Sequence, residues 1–288
     1  MKKTIRFIIN PISGVGQKNK LPDMIQKYLE QDQFDYEIVF TEHRGHGKQL
    51  AHEAVDQSID IVCAVGGDGS VNEVGSVLAH TSTILAILPT GSGNGLARHL
   101  GLHLKVKKAI KNINRFNHQS IDTVSIDNKT FLNVAGFGFD ALVANRFDQY
   151  HSRGFLSYAK LVFHAFKSYK GINITINDEH TFNGLLFCSF ANGSQFGNGF
   201  MISPQSNIED GQVEIVCIEL PHLFGLLILI IRSFFGTIHK SSRYHMMSVS
   251  QATISSSTQI AHLDGEPITI DKSAITIKCH SAPLKVII

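Results

Sequence analysis

Apolar and polar positions alternate in two different ways along this chain, and the change of pattern divides it. The first part reads as short apolar runs separated by amphipathic stretches. Strands are predicted at Thr4–Ile9, Tyr36–Thr41, Ile59–Val65 and Ile84–Leu88, and helices around Lys20–Gln31 and Gly47–Gln57. Strands apolar on both faces that alternate with helices predict a doubly wound parallel sheet. Near Ile121 the texture shifts to short, half-polar strands. Ile172–Ile176, Leu185–Phe190, Gln212–Ile218, and a pair formed by Gln251–Ile254 and Ala274–Lys278 are examples. That pattern predicts an antiparallel, sandwich-like second domain. The expectation is therefore an α/β chain with an α/β domain over 1–120, a β-rich domain over 121–288, and a site in the cleft between them.

Two further segments are apolar enough to ask what covers them. Phe155, Tyr158, Leu161, Val162, Ala165, Phe166 and Tyr169 recur at helical spacing beside Lys160, Lys167 and Lys170. A helix packed on the sheet is the first reading and an interfacial helix the second. Leu223–Phe235 is apolar on every face except at Arg232 and Ser233. Burial is the first expectation there, with self-association or membrane contact as alternatives. Its longest apolar run, Leu223 to Ile231, falls well short of the ~20 residues that cross a bilayer.

Composition narrows the class. The 288 residues can build two cores, and a formal charge of +2 gives no electrostatic case for nucleic acid. Cys63, Cys188, Cys217 and Cys279 are far apart, form no zinc spacing, and read as buried thiols. The first residues lead directly into a strand without a signal-peptide pattern and no run is long enough to span a bilayer, so a cytoplasmic protein, either soluble or peripheral at a membrane, is expected. The fifteen histidines form no metal-binding cluster.

The chemistry is concentrated where strands end. Ile59–Val65 runs into Gly66-Gly67-Asp68-Gly69-Ser70-Val71-Asn72-Glu73, a glycine corner opening a helix with a carboxylate at its centre. Glycines let backbone amides approach an anion, and a helix N-terminus favours negative charge. Ile84–Leu88 leads to Pro89-Thr90-Gly91-Ser92-Gly93-Asn94-Gly95, and Thr4–Ile9 leads to Asn10-Pro11-Ile12-Ser13-Gly14. Loops of this kind gather beyond the carboxyl ends of parallel strands, so the three can surround one triphosphate. No Gly-x-x-x-x-Gly-Lys-Ser/Thr occurs, and Gly91-x-Gly93-x-Gly95 lacks the dinucleotide spacing. In the second domain, Asp210-Gly211 and Asp264-Gly265-Glu266 are tight-turn dipeptides that structure alone can explain.

Taken in order, Asn10-Pro11-x-Ser13-Gly14, Gly66-Gly67-Asp68-Gly69-Ser70-x-Asn72-Glu73-Val74, Pro89-x-Gly91-Ser92-Gly93-Asn94 and Leu263-Asp264-Gly265-Glu266 resemble the diacylglycerol-kinase-like lipid kinases. That group includes the bacterial diacylglycerol kinases and the sphingosine kinases, and the resemblance spans nearly the whole chain. It implies ATP as phosphoryl donor, Mg2+ as cofactor, and a lipid at a membrane surface as acceptor, with a homodimer as a further possibility. Nucleotide contacts are implied at Asn10, Pro11, Ile12, Ser13, Gly14, Thr41, Gly66, Gly67, Asp68, Gly69, Ser70, Val71, Asn72 and Thr90. The bacterial branch implies a magnesium-supporting set at Asn207, Asp210 and Gln212, and the motifs imply substrate or supporting roles for Gly93, Asn94 and Asp264. Both Glu266 and Asp68 match residues assigned as general base in one branch or the other. Glu266 is the preferred base, with Asp68 positioning metal or substrate.

The chain departs from the pattern at Gly95, where diacylglycerol kinases usually carry Asp, and that leaves the bacterial metal network different or absent here. The Gly91–Ala97 string looks more like the sphingosine-kinase version, so both diacylglycerol and a sphingoid long-chain base are candidate acceptors. The rival readings are an NAD-kinase-like small-molecule kinase and a non-catalytic nucleotide- or lipid-binding regulator.

Overall fold

A computed structural model describes residues 2–12, 20–148 and 165–288, with the side chains of 144–148 outside that description. The first lobe is built on four parallel strands, β1 (Lys3–Ile9), β2 (Phe34–Phe40), β3 (Ile61–Gly66) and β4 (Ile84–Pro89), in the order β2-β1-β3-β4. Helices α1 (Leu21–Tyr28), α2 (His46–Asp56), α3 (Asp68–Leu78), α4 (Gly95–His99) and α5 (Val106–Arg115) accompany them.

Residue alternation along the strands assigns each helix to a layer. In β3, Ile61, Cys63 and Val65 pack with Ile25 of α1 and Ile110 and Ile113 of α5. The intervening Val62 and Ala64 pack with Leu50 of α2 and Val71, Val74 and Leu78 of α3. Every residue of β3 is consequently buried, as a strand covered on both faces requires. The strand order reverses between β1 and β3, so their carboxyl ends open a crevice at the point where ligands bind such sheets.

The second lobe contains β5 (His118–Ile126), β6 (Lys129–Phe131), β7 (Val134–Gly138), α6 (Phe139–Asp148), β8 (Ile172–Ile176), β9 (His180–Ala191), β10 (Gln195–Gly197), β11 (Phe200–Met201) and β12 (Val213–Glu219). It continues with α7 (Leu223–Phe234), β13 (Tyr244–Val249), β14 (Gln251–Ser256), β15 (Ile260–Leu263), β16 (Glu266–Thr269) and β17 (Ala274–Ile287). Its larger strands are antiparallel, and Gln251–Ser255 pairs with Ala274–Lys278 as the alternation predicts. The long β9 pairs with β8 along its first half, with β7 along its second, and with β12 on its other edge.

The lobes share strands. Ser120, where the sequence texture changes, stands inside β5, which runs antiparallel to β17, while Val286 of β17 pairs parallel with Leu85 of β4. The last strand thus extends the first lobe's sheet and fixes one lobe against the other.

Of the two apolar segments, the first lies largely outside the described residues, Phe155, Tyr158, Leu161 and Val162 included. Its end is core: Ala165 is buried, and Phe166 and Tyr169 pack their rings on Phe139. The second, α7, differs from the expectation of burial. Leu229 and Ser233 face the sandwich while the opposite side of the helix is open. No helix among the described residues is long and apolar enough to cross a membrane.

Candidate active site

A cavity of about 620 Å³ opens at the carboxyl ends of β1, β3 and β4 and is closed on one side by the β15–β16 turn. The expected residues Asn10, Ile12, Thr41, Gly67, Asp68, Gly69, Ser70, Gly93, Asp264 and Glu266 line it. Its first wall is the start of α3. Four residues there, Gly67 to Ser70, present amides that a helix cannot pair internally. Asn10 ties the first loop to this wall, donating from Nδ2 to Ser70 Oγ at 3.2 Å and accepting from the Ile12 amide at 2.9 Å.

Asp68 joins the two glycine loops. Its Oδ1 accepts from the Gly95 amide at 2.7 Å, at the first turn of α4. Burial, reinforced by the negative charge of Asp264, pushes its carboxyl up to about 6. Asn94, in the left-handed region at φ 52°, braces the second loop by bonding both the amide and the carbonyl of Gly91.

Gly95 has no room for a side chain. A Cβ there would run into the Asn133 amide and stand 2.9 Å from the carbonyl oxygens of Gln195 and Phe196. Asn133 itself donates to the Gln195 carbonyl at 2.9 Å. Second-lobe atoms therefore fill the volume that an aspartate would need. Here Asp68 meets the backbone amide of Gly95 where an aspartate at that position would have placed a carboxylate.

Asp264 is a clamp. It is buried at φ 48° and accepts from the amides of Leu132, Asn133 and Val134 at 2.9–3.0 Å and from Asn72 Nδ2 at 2.8 Å. Desolvation still raises its carboxyl above the usual range. These bonds lock the β15–β16 turn to both α3 and the segment before β7. They carry Glu266, two residues on, to the glycine loop that opens α3, where a Cβ on Gly69 would lie 2.5 Å from Glu266 Oε1. Arg44, from the loop between β2 and α2, donates through Nη2 to Glu266 Oε2.

Several expected contacts take other roles. Val71 is buried in the first-lobe core and its amide bonds Gly67 O, because its place on α3 turns it toward the sheet. Gly66 contributes its carbonyl to Thr90 and Gly91 amides, and Asn72 turns to Asp264 and Thr130. Pro11 and Thr90 do not line the cavity, and Ser13 and Gly14 lie outside the described residues. Arg44 and Glu73 emerge from the fold. Glu73 accepts from the Gly45 and Gly47 amides at 2.7 and 3.0 Å and so holds the loop that carries Arg44. Arg44 is the one Lys or Arg among the described lining residues. Glu73 stood inside the glycine motif, whereas no local signal marked Arg44.

Of the two Asp-Gly corners of the second domain, only Asp264-Gly265 faces the cleft, and the expected magnesium-supporting set stands away from it. The turn with Asn207, Asp210 and Gln212 is exposed and does not line the cavity. Asp122 on β5 accepts from the amides of Gly211 and Ala282, both at 2.6 Å, and pins that turn beside β17. Asp210 accepts from the Gln212 amide at 3.0 Å. Nearby Glu214 has a buried Oε2 with no hydrogen-bond partner, and desolvation together with Asp210 raises its carboxyl. An orphaned carboxylate oxygen beside an exposed carboxylate suits a cation. Among the described residues no three His, Cys, Asp or Glu side chains form a ready metal cage. A magnesium ion would therefore keep water or substrate oxygens as ligands.

Comparison with known proteins agrees with this architecture. Residues 4–126 match the family model of the diacylglycerol kinase catalytic domain, and residues 133–288 match that of the YegS C-terminal NAD kinase beta sandwich-like domain. A diacylglycerol kinase of Staphylococcus saprophyticus is 28% identical over 275 residues, covering 92% of this chain and 90% of its own. A diacylglycerol kinase of Mycobacterium tuberculosis is 30% identical over 258 residues, with coverage of 85% and 81%. The crystal structure of a diacylglycerol kinase from Bacillus anthracis superimposes with a TM-score of 0.74 at 18% identity, covering 99% of this chain and 96% of that one. An NAD kinase from Archaeoglobus fulgidus, solved with ATP, shares the fold at a TM-score of 0.53 and 13% identity, with coverage of 99% and 93%.

Proposed function

The chain belongs to the diacylglycerol-kinase-like lipid kinase family, and from that premise we propose that it transfers the γ-phosphate of ATP to a hydroxyl of a membrane lipid, diacylglycerol or a sphingoid long-chain base. One observation carries the reading. The second lobe delivers the Glu266 carboxylate onto the first lobe's phosphate loop, within the cavity that also holds Asp68.

The roles follow from the geometry. Amides at the start of α3 hold phosphate oxygens, with the hydroxyls of Thr41 and Ser70 beside them. Bound magnesium would offset phosphate charge during transfer, and Asp68 fits it, since burial beside Asp264 leaves that carboxylate short of positive charge. Asn207, Asp210 and Gln212 would hold a second, supporting ion outside the cleft. Glu266 takes the proton of the lipid hydroxyl as its oxygen bonds the γ-phosphorus and the bond to the β-phosphate oxygen breaks, releasing ADP. Arg44, hydrogen-bonded to one oxygen of Glu266, orients the other toward the acceptor.

Labelled ATP incubated with total lipid extract, with and without magnesium, tests the reading. A phosphorylated lipid identified by mass spectrometry, formed only with the metal, is the expected product. No lipid product in any extract overturns it. The NAD-kinase-like rival has the shared fold in its favour, and phosphorylation of NAD without lipid would establish it.

A further inference from the structure

The apolar surface of this protein is concentrated in one place. Eleven large hydrophobic side chains are exposed among the described residues, and seven of them fall between Leu223 and Phe235. They are Leu223, Phe224, Leu227, Ile228, Ile231, Phe234 and Phe235, with Phe224 68% and Phe235 78% exposed. At ~100° per residue they occupy a stripe about 140° wide, directly opposite the buried Leu229 and Ser233. The helix is apolar on both faces and covered on one. An exposed apolar patch of this density marks an interaction surface.

Two observations identify what it meets. From Leu220 to Leu263 the chain has no carboxylate side chain, while Arg232 and Lys240 stand on or just after α7. Arg243 lies there too, paired with Glu219. A second copy packed by symmetry on this face would bring like charges together, whereas an anionic surface complements them. The patch is also continuous with the candidate active site. Phe234 packs edge-on against Phe200, which stacks on Phe196 in β10. Beside it, Gly197 bridges to Asn94, and the Asn198 amide donates to the Gly93 carbonyl at the cavity wall.

We propose that α7 is an interfacial helix that lies flat on an anionic phospholipid bilayer and sets the cleft at the membrane surface. The choice of a bilayer rests on the lipid-kinase reading above. At twelve residues the helix is far too short to span and the right shape to lie in the headgroup region with its apolar stripe down.

Co-sedimentation of the full chain with vesicles tests this without ATP or turnover, so it can fail while the kinase reading stands, and the reverse. Wild type should bind phosphatidylcholine vesicles containing phosphatidylglycerol more tightly than phosphatidylcholine alone. The triple substitution Phe224→Gln, Ile228→Gln and Phe235→Gln should weaken that binding at least about tenfold, and Lys240→Glu by a smaller factor. The chain has no tryptophan, so Phe235→Trp supplies a lone reporter. Its emission should shift to the blue on vesicles and be quenched by brominated lipid. Unchanged binding by the triple variant, failure of wild type to bind either vesicle, or an unshifted emission from the Phe235→Trp variant would each overturn the proposal. So would a dimer that dissociates in the triple variant while vesicle binding is unaffected, since the face would then belong to a second copy.

Discussion

The second lobe contains two Asp-Gly corners whose fates are opposite. At Asp264-Gly265 the carboxylate is buried and takes four hydrogen bonds from other parts of the molecule. At Asp210-Gly211 it is exposed and bonds within its own turn. The dipeptide specifies a bend in both. Its partners decide whether the bend becomes a hinge pin of the site or a surface loop. Glu266 inherits its position from the first arrangement, and nothing comparable follows Asp210.

The largest expected effect lies at the end of the buried corner. Glu266→Gln should lower single-turnover phosphoryl transfer by roughly 10²–10⁴ with folding intact, as loss of a positioned base does; transfer at wild-type rate would move the role to Asp68. Next, Asp264→Ala removes an acceptor from buried amides and should cost about 3 kcal/mol or more in a denaturant titration. At the exposed corner, Asp210→Ala should change metal-free stability by less than about 0.5 kcal/mol. Equal losses at the two corners would erase the distinction between them.

Asp68 lies between these extremes and has a pH signature. Folding raises its carboxyl from the usual 3.8 to about 6, so the native state holds this proton more tightly than the unfolded chain. Its contribution is fully present below pH 4 and is lost as pH rises through 6. Asp68→Asn should therefore stabilise the nucleotide-free protein above pH 6, by up to about 3 kcal/mol given the size of that rise. The gain should vanish near pH 4, which thermal melting across that range would show. A steric effect is expected at Gly95 as well. Gly95→Ala, which presses on Asn133, should cost about 1–3 kcal/mol as overpacking does. A neutral result would mean that the 195–196 segment yields easily.

Much of this molecule was legible as periodicity. Strand runs such as Ile84–Leu88 and the Gln251–Ile254 with Ala274–Lys278 pairing needed no more than alternation and glycine punctuation, because burial on one or two faces imposes a local period. The two glycine loops after β3 and β4 were equally plain, since glycine clusters at strand-to-helix corners stand out in any sequence. Arg44 escaped notice because a lone arginine in a loop has no period, and its meaning comes from Glu266, far away in sequence. The exposed stripe of α7 was hidden for a related reason. A helix apolar all round announces two faces and cannot say which one the fold will cover.

Chain chemistry alone thus determined two domains of different strand texture and the glycine corners at the ends of their strands. Tertiary structure decided which acidic corner meets the glycine loop before α3, what fills the space beside Gly95, and which side of α7 stays open. Those outcomes depend on contacts between residues distant in sequence, such as Asp264 with the 132–134 amides and β17 with β4. Local residue patterns record the cost of burial and of turning, but they carry no record of which distant partner arrives.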